Sequence, residues 1–148
     1  MHLDSRQKLF PYAAVAMAVL LFLGSIGAWA TVDIANLSAT ESGMDGNGGI
    51  TLALGLVAGA SVIFMLMKRD APNWVVIVPL VAFGMAVFVG LYNWADLQNG
   101  AADNASVAAA NGVDINYSVG WGLVLVTLSA FAGLILTGAP WLRTRLHR

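Results

Sequence analysis

Two carboxylates are the residues best placed to do chemistry. Asp33 lies in Gly27-Ala28-Trp29-Ala30-Thr31-Val32-Asp33-Ile34, and Asp96 lies in Gly90-Leu91-Tyr92-Asn93-Trp94-Ala95-Asp96-Leu97, each where a long apolar run gives way to polar sequence. In an oligomer they could form an outer acidic ring that draws cations, as acidic rings do in cation channels. The plainer reading is that both are solvated residues closing helices at a membrane interface. It requires no oligomer and is preferred.

Other chemistry finds little footing. His2 and His147 stand at opposite chain ends, neither has a partner at metal-ligand spacing, and no HExxH pattern occurs. Cysteine is absent, which removes disulfides, thiolate metal sites and cysteine nucleophiles together. Gly43 to Gly49 is glycine-rich but carries Asp45 and no lysine, the wrong charge for a phosphate cradle. No GxSxG elbow, Walker loop or GxGxxG follows a strand. Ion-coupled transport requires an ionisable group inside a spanning segment. The four-helix small multidrug transporters carry a glutamate in their first helix, where this chain offers only Ser25 as an interior polar side chain. Neither catalysis nor a bound cofactor or metal is expected.

Small residues at helical spacing form a different kind of site. Thr51, Gly55 and Gly59 repeat every four residues in one apolar run, with Gly55 to Gly59 a GxxxG motif, and Ser129, Gly133 and Thr137 repeat likewise in another. Such faces let helix backbones approach closely where apolar burial cannot drive association in lipid. Packing within the chain's own bundle is preferred over packing between subunits. Pro79 removes one backbone donor from its helix and predicts a kink. The tail Arg143-Thr144-Arg145-Leu146-His147-Arg148 could meet anionic headgroups, although membrane orientation alone accounts for it. Nucleic acid is not expected as a partner, since three arginines beside a membrane make no groove-tracking surface.

These residues must be positioned by membrane helices. Of 148 residues 59% are hydrophobic and 10% charged, against about 25% charged in a soluble domain. Four runs carry no charge: Leu9 to Val32, Gly46 to Met67, Ala71 to Ala95 and Ile115 to Leu142. A spanning helix takes about 20 apolar residues, and in hydrocarbon each run must satisfy its own backbone, so helices rather than strands are predicted. The predicted spans are 10–30, 50–67, 74–95 and 119–141, joined by outer loops 31–49 and 96–118. Arg6, Lys8, Lys68, Arg69, Arg143, Arg145 and Arg148 all fall on one side, and Asp33, Glu41, Asp45, Asp96, Asp103 and Asp114 on the other. By the positive-inside rule both termini are cytoplasmic. The tryptophans Trp29, Trp74, Trp94, Trp121 and Trp141 fall near predicted helix ends, where an indole anchors in the headgroup layer. The first run also reads as a signal peptide with a site at Ala28-Trp29-Ala30, but its apolar stretch exceeds the usual 7–15 residues (roughly) of a cleaved signal. The expected fold is therefore an all-α membrane protein, a single four-transmembrane-helix bundle over 1–148.

The outer loops, rich in glycine and Asx, predict flexible connections, with Asn104 to Ala110 as a short interfacial helix stopped at Asn111-Gly112. The short segment Lys68 to Asn73 makes the second and third helices antiparallel neighbours. The two Gly–aromatic–Asp stretches hint that the halves repeat one helix hairpin; duplication and chance stand as equal readings. Tyr92-Asn93-Trp94-Ala95-Asp96-Leu97 and Val119-Gly120-Trp121-Gly122-Leu123 resemble the outer helix ends of small four-helix membrane proteins of actinobacteria and their prophages. The likeness of layout covers nearly the whole chain, and the family brings no established activity. In such a source the sequons at Asn36, Asn104 and Asn116 are simply Asn/Ser-rich loop sequence.

The expected function is a non-enzymatic accessory or interaction protein of the bacterial inner membrane, whose partners are the bilayer and a membrane protein or another copy. The alternative is an oligomeric pore, akin in size and layout to holins and phage-exclusion proteins, that depolarises the membrane. A pore needs a polar stripe along a helix, and only Ser129 with Thr137, or Thr51, could begin one.

Overall fold

A computed structural model describes residues 5–34, 37–68 and 73–146. The chain order is α1 (Ser5–Ile26), β1 (Ala28–Ile34), β2 (Leu37–Ser42), a 3-10 turn (Gly43–Asp45), α2 (Gly48–Met67), α3 (Asn73–Ala110), β3 (Ile115–Val119) and α4 (Trp121–Leu146). All four helices are long and apolar enough to cross a membrane. They form a ring in which α1 packs on α2 and α4, and α3 packs on the same two. The centre is filled by Leu21, Phe83, Leu123 and Val126, with Ala58, Ala82, Ala86 and Ala130 between them as small spacers. Between helices in lipid, where withdrawal from water cannot drive association, interdigitation of this kind supplies the attraction.

The expectation of an all-α chain is corrected at one end. A three-stranded antiparallel sheet, ordered β2-β1-β3, is built from parts of both predicted loops. β1 pairs with β2 through Thr31 with Thr40, Val32 with Ala39 and Ile34 with Leu37, and the register shifts between Ala28 and Ala30, where Trp29 sits. On its other edge β1 pairs with β3 through Ala30 with Val119, Val32 with Tyr117 and Ile34 with Ile115. The predicted first helix therefore ends four residues early, at Ile26 rather than residue 30. Gly27 ends it, and the Trp29, Thr31, Val32 and Ile34 that follow have β-branched or aromatic side chains that suit a pleated surface. The last carbonyls of α1 do not go unpaired: Ser42 Oγ donates to Ile26 O at 3.3 Å, the Gly43 amide to Gly27 O at 2.9 Å, and Trp29 Nε1 to Gly24 O at 3.0 Å.

The third helix is corrected in the other direction. Expected to stop at residue 95, α3 runs for 38 residues to Ala110, a rise of about 57 Å against a hydrocarbon core of about 30 Å. The separate short helix expected over 104–110 is its last two turns. Ala101, Ala102, Ala105 and Ala108 to Ala110 favour helix strongly enough to carry it past Asn99-Gly100. The stop falls at Asn111-Gly112 as expected, with Gly112 at φ 68 in the left-handed region. There the Val113 amide donates to Ala108 O at 2.9 Å and the Gly112 amide to Ala109 O at 3.1 Å, a Schellman closure. α3 passes through Pro79 without interruption, its ring fully buried. The two Gly–aromatic–Asp stretches thus fold differently, one as strand β1 and the other inside α3.

Candidate functional site

The end of the bundle that carries the sheet is held by backbone approach and hydrogen bonds. A Cβ on Gly24 would meet the Gly122 carbonyl oxygen at 2.9 Å, and one on Gly122 would meet the Gly24 carbonyl oxygen at 2.7 Å, so α1 and α4 touch backbone to backbone. Between α1 and α2, Ser25 Oγ and Thr51 Oγ1 lie 2.7 Å apart and both residues are fully buried. Ser25 Oγ also lies 2.7 Å from Leu21 O, and Thr51 Oγ1 3.0 Å from Gly48 O. Two hydroxyl protons thus serve three contacts, and the pair must form a chain in one direction or the other. Asn47 Nδ2 donates to Asn93 Oδ1 at 3.1 Å and ties α2 to α3. Among the described residues every buried side-chain nitrogen or oxygen has a hydrogen-bond partner.

The small-residue faces are buried within this ring. Thr51, Gly55 and Gly59 face α1: Cβ atoms on the two glycines would lie 3.3 Å from Ala18 O and from Ala18 Cβ respectively. Ser129 is buried and donates to Val126 O at 3.1 Å, Thr137 is buried and donates to Gly133 O at 2.8 Å, and Gly133 is covered by the Phe83 ring of α3. Each hydroxyl is thereby committed to its own helix or its neighbour.

The two carboxylates are not joined by any described hydrogen bond. Asp33, half-buried on β1 opposite Ser38 and Asn116, accepts a hydrogen bond from Ser38 Oγ. Asp96 is exposed on α3. Among the described residues no group of three acids or histidines is arranged to hold a metal ion.

The tryptophans divide. Trp29 turns inward, 6% exposed, so it serves the protein interior rather than a headgroup layer. Trp94 is half-buried against the core, whereas Trp121 is exposed and lies across Gly27. Trp74 and Trp141 occupy the start of α3 and the last turns of α4; their side chains lie outside the described residues.

Two features escaped the sequence reading. One is the exposed edge of the sheet. Leu37 to Glu41 of β2 are exposed throughout, and Leu37 and Ile34 present 78% and 41% of their surface beside the hairpin tip. Alternating Thr, Ser and small residues in a stretch read as loop were the available signal. The other is a cavity of about 230 Å³ at the opposite end, lined by all four helices through Pro11 and Ala14, Val62 and Met65, Val76, and Thr137. Composition gives no sign of it, because it is a shape.

Compared with family models, with curated proteins and with solved structures, the chain matches none.

Proposed function

We propose that this protein is a non-enzymatic docking subunit of the bacterial inner membrane, which meets an extended segment of another membrane protein on its outer face. The observation that carries the reading is the outer edge of β2: a strand exposed over Leu37 to Glu41, at the margin of the sheet, with no further strand beside it among the described residues and with the apolar Ile34 and Leu37 near its tip. Such an edge is a template for strand addition, in which main-chain hydrogen bonds give affinity and alternate side chains give selectivity. Glu41 is its one charge, so little repels an incoming strand.

An oligomeric pore gains less support. Large exposed residues of the spans, such as Val57, Val81, Phe88, Leu128 and Ile135, are apolar, while Thr51, Ser129 and Thr137 face inward with their protons committed. Among the described residues no polar stripe is left for a channel wall.

A photo-reactive residue at Ala39 or Thr40, set against one at lipid-facing Leu128, tests the docking reading in whole cells. A discrete adduct from the β2 positions alone is expected. Absence of any adduct, together with collapse of the membrane potential on expression that Asp33→Asn with Asp96→Asn relieves, would replace docking by the pore.

A further inference from the structure

We infer that the cavity at the basic end of the bundle is a lipid site: one acyl chain of an anionic phospholipid enters it, and the headgroup rests against the basic helix ends. The inference is independent of the docking edge, which lies at the far end of the molecule.

Position comes first. Pro11 and Ala14 lie within three turns of Arg6 and Lys8 on α1, Met65 is three residues before Lys68, and Thr137 is six residues before Arg143 on α4. The cavity therefore sits inside the span but close to its cytoplasmic margin, at the depth of inner-leaflet acyl chains. All four helices contribute, so it is a recess open on one side rather than a furrow between two of them.

The chemistry of the wall then selects the occupant. Pro11, Ala14, Val62, Met65 and Val76 are apolar, and the one hydroxyl, of Thr137, donates to Gly133 O at 2.8 Å. A buried water requires about two to four polar partners, and the only side-chain polar group among the lining residues is the Thr137 hydroxyl, whose proton is taken. Hydrocarbon loses nothing there. The volume of about 230 Å³ falls below the ~300 Å³ at which pockets for drug-sized ligands begin, which suits an unbranched chain better than a fused ring.

Charge selects the headgroup. The seven basic residues all belong to this end by sequence, against Asp4 and Asp70 alone. Clusters of this kind beside a membrane helix draw anionic lipid.

The test uses the full chain, purified in mild detergent and titrated with dioleoyl phosphatidylglycerol or dioleoyl phosphatidylcholine, with bound lipid counted by native mass spectrometry. One phosphatidylglycerol per chain is expected, retained at least fivefold better than phosphatidylcholine. Ala14→Leu, which fills the cavity from α1, and Met65→Trp, which fills it from α2, should each cut that retention about fivefold. Arg143→Gln with Arg145→Gln should abolish the preference between the two lipids while leaving one lipid bound. Equal retention of both lipids by the natural chain, or full retention in both filled variants, overturns the inference. Should the filled variants not fold, the natural chain still decides it. One equivalent of phosphatidylglycerol with a nitroxide on its acyl chain should broaden the methyl resonance of Met65, half-buried in the wall, more than that of Met85, which is 52% exposed on the bundle surface. Broadening of Met85 equal to or greater than that of Met65 would mean only surface lipid, and the inference fails.

Discussion

The two ends of this bundle are built on different principles. At the sheet end, glycines bring α1 and α4 into backbone contact, hydroxyls and an indole N–H satisfy helix carbonyls, and a 3-10 turn with a capping box at Ser42 and Asp45 locks β2 to α2. At the basic end the same four helices border a cavity walled mainly by apolar side chains. Directional bonds and backbone contacts have one good geometry and penalise any other. Aliphatic walls around a space accept several fillings at similar free energy. The sheet end should therefore be rigid and intolerant of substitution, and the basic end adaptable.

The largest effect that could break this comparison is at Gly122. Valine there must push against the Gly24 carbonyl, which has no rotamer to yield, so Gly122→Val should destabilise the protein by about 3 kcal/mol and lower its thermal transition in detergent. Trp29→Phe comes next: it removes the indole donor from Gly24 O, which keeps only the Gly27 amide at 3.2 Å, and opens a small void, at a cost of about 2 kcal/mol in the same assay. Thr51→Val keeps the side-chain volume and removes one link of the Ser25–Thr51 chain, for which about 1 kcal/mol is expected from interhelical hydrogen bonds in membranes. Ala14→Leu is the counterpart of Gly122→Val at the other end, adding bulk to a buried position that borders free space; it should cost less than about 1 kcal/mol. If it proved as damaging as Gly122→Val, the contrast between the two ends would collapse. Asp96→Asn, on the exposed part of α3, should change stability by less than about 0.5 kcal/mol, and a larger loss would mean that the carboxylate has a structural partner.

The four helices long and apolar enough to cross a membrane could be read from sequence because they depend on composition along a run of residues, and so could the packing of α2 on α3 across a short connection. Helix stops were legible where one residue type decides them, as at Asn111-Gly112. They were misread where neighbours decide. Gly27-Ala28-Trp29-Ala30 and Gly90-Leu91-Tyr92-Asn93 look alike on paper, yet the first pairs with β3 and β2 as a strand, while the second lies inside the long helix α3. The small-residue faces were visible by spacing. The sequence did not say which helix each would meet, nor that Ser25 would find Thr51 across 26 positions.

By itself, then, the sequence determined four apolar helices, the segregation of basic from acidic residues and the glycine-spaced faces, since each follows from local composition and the 3.6-residue turn. Only the tertiary structure decided the three-stranded sheet, the inward turn of Trp29, the free edge of β2 and the cavity among four helix ends. Pairing partners, burial and empty volume are properties of residues brought together from distant parts of the chain, and no local pattern of side chains encodes the distance between two helices.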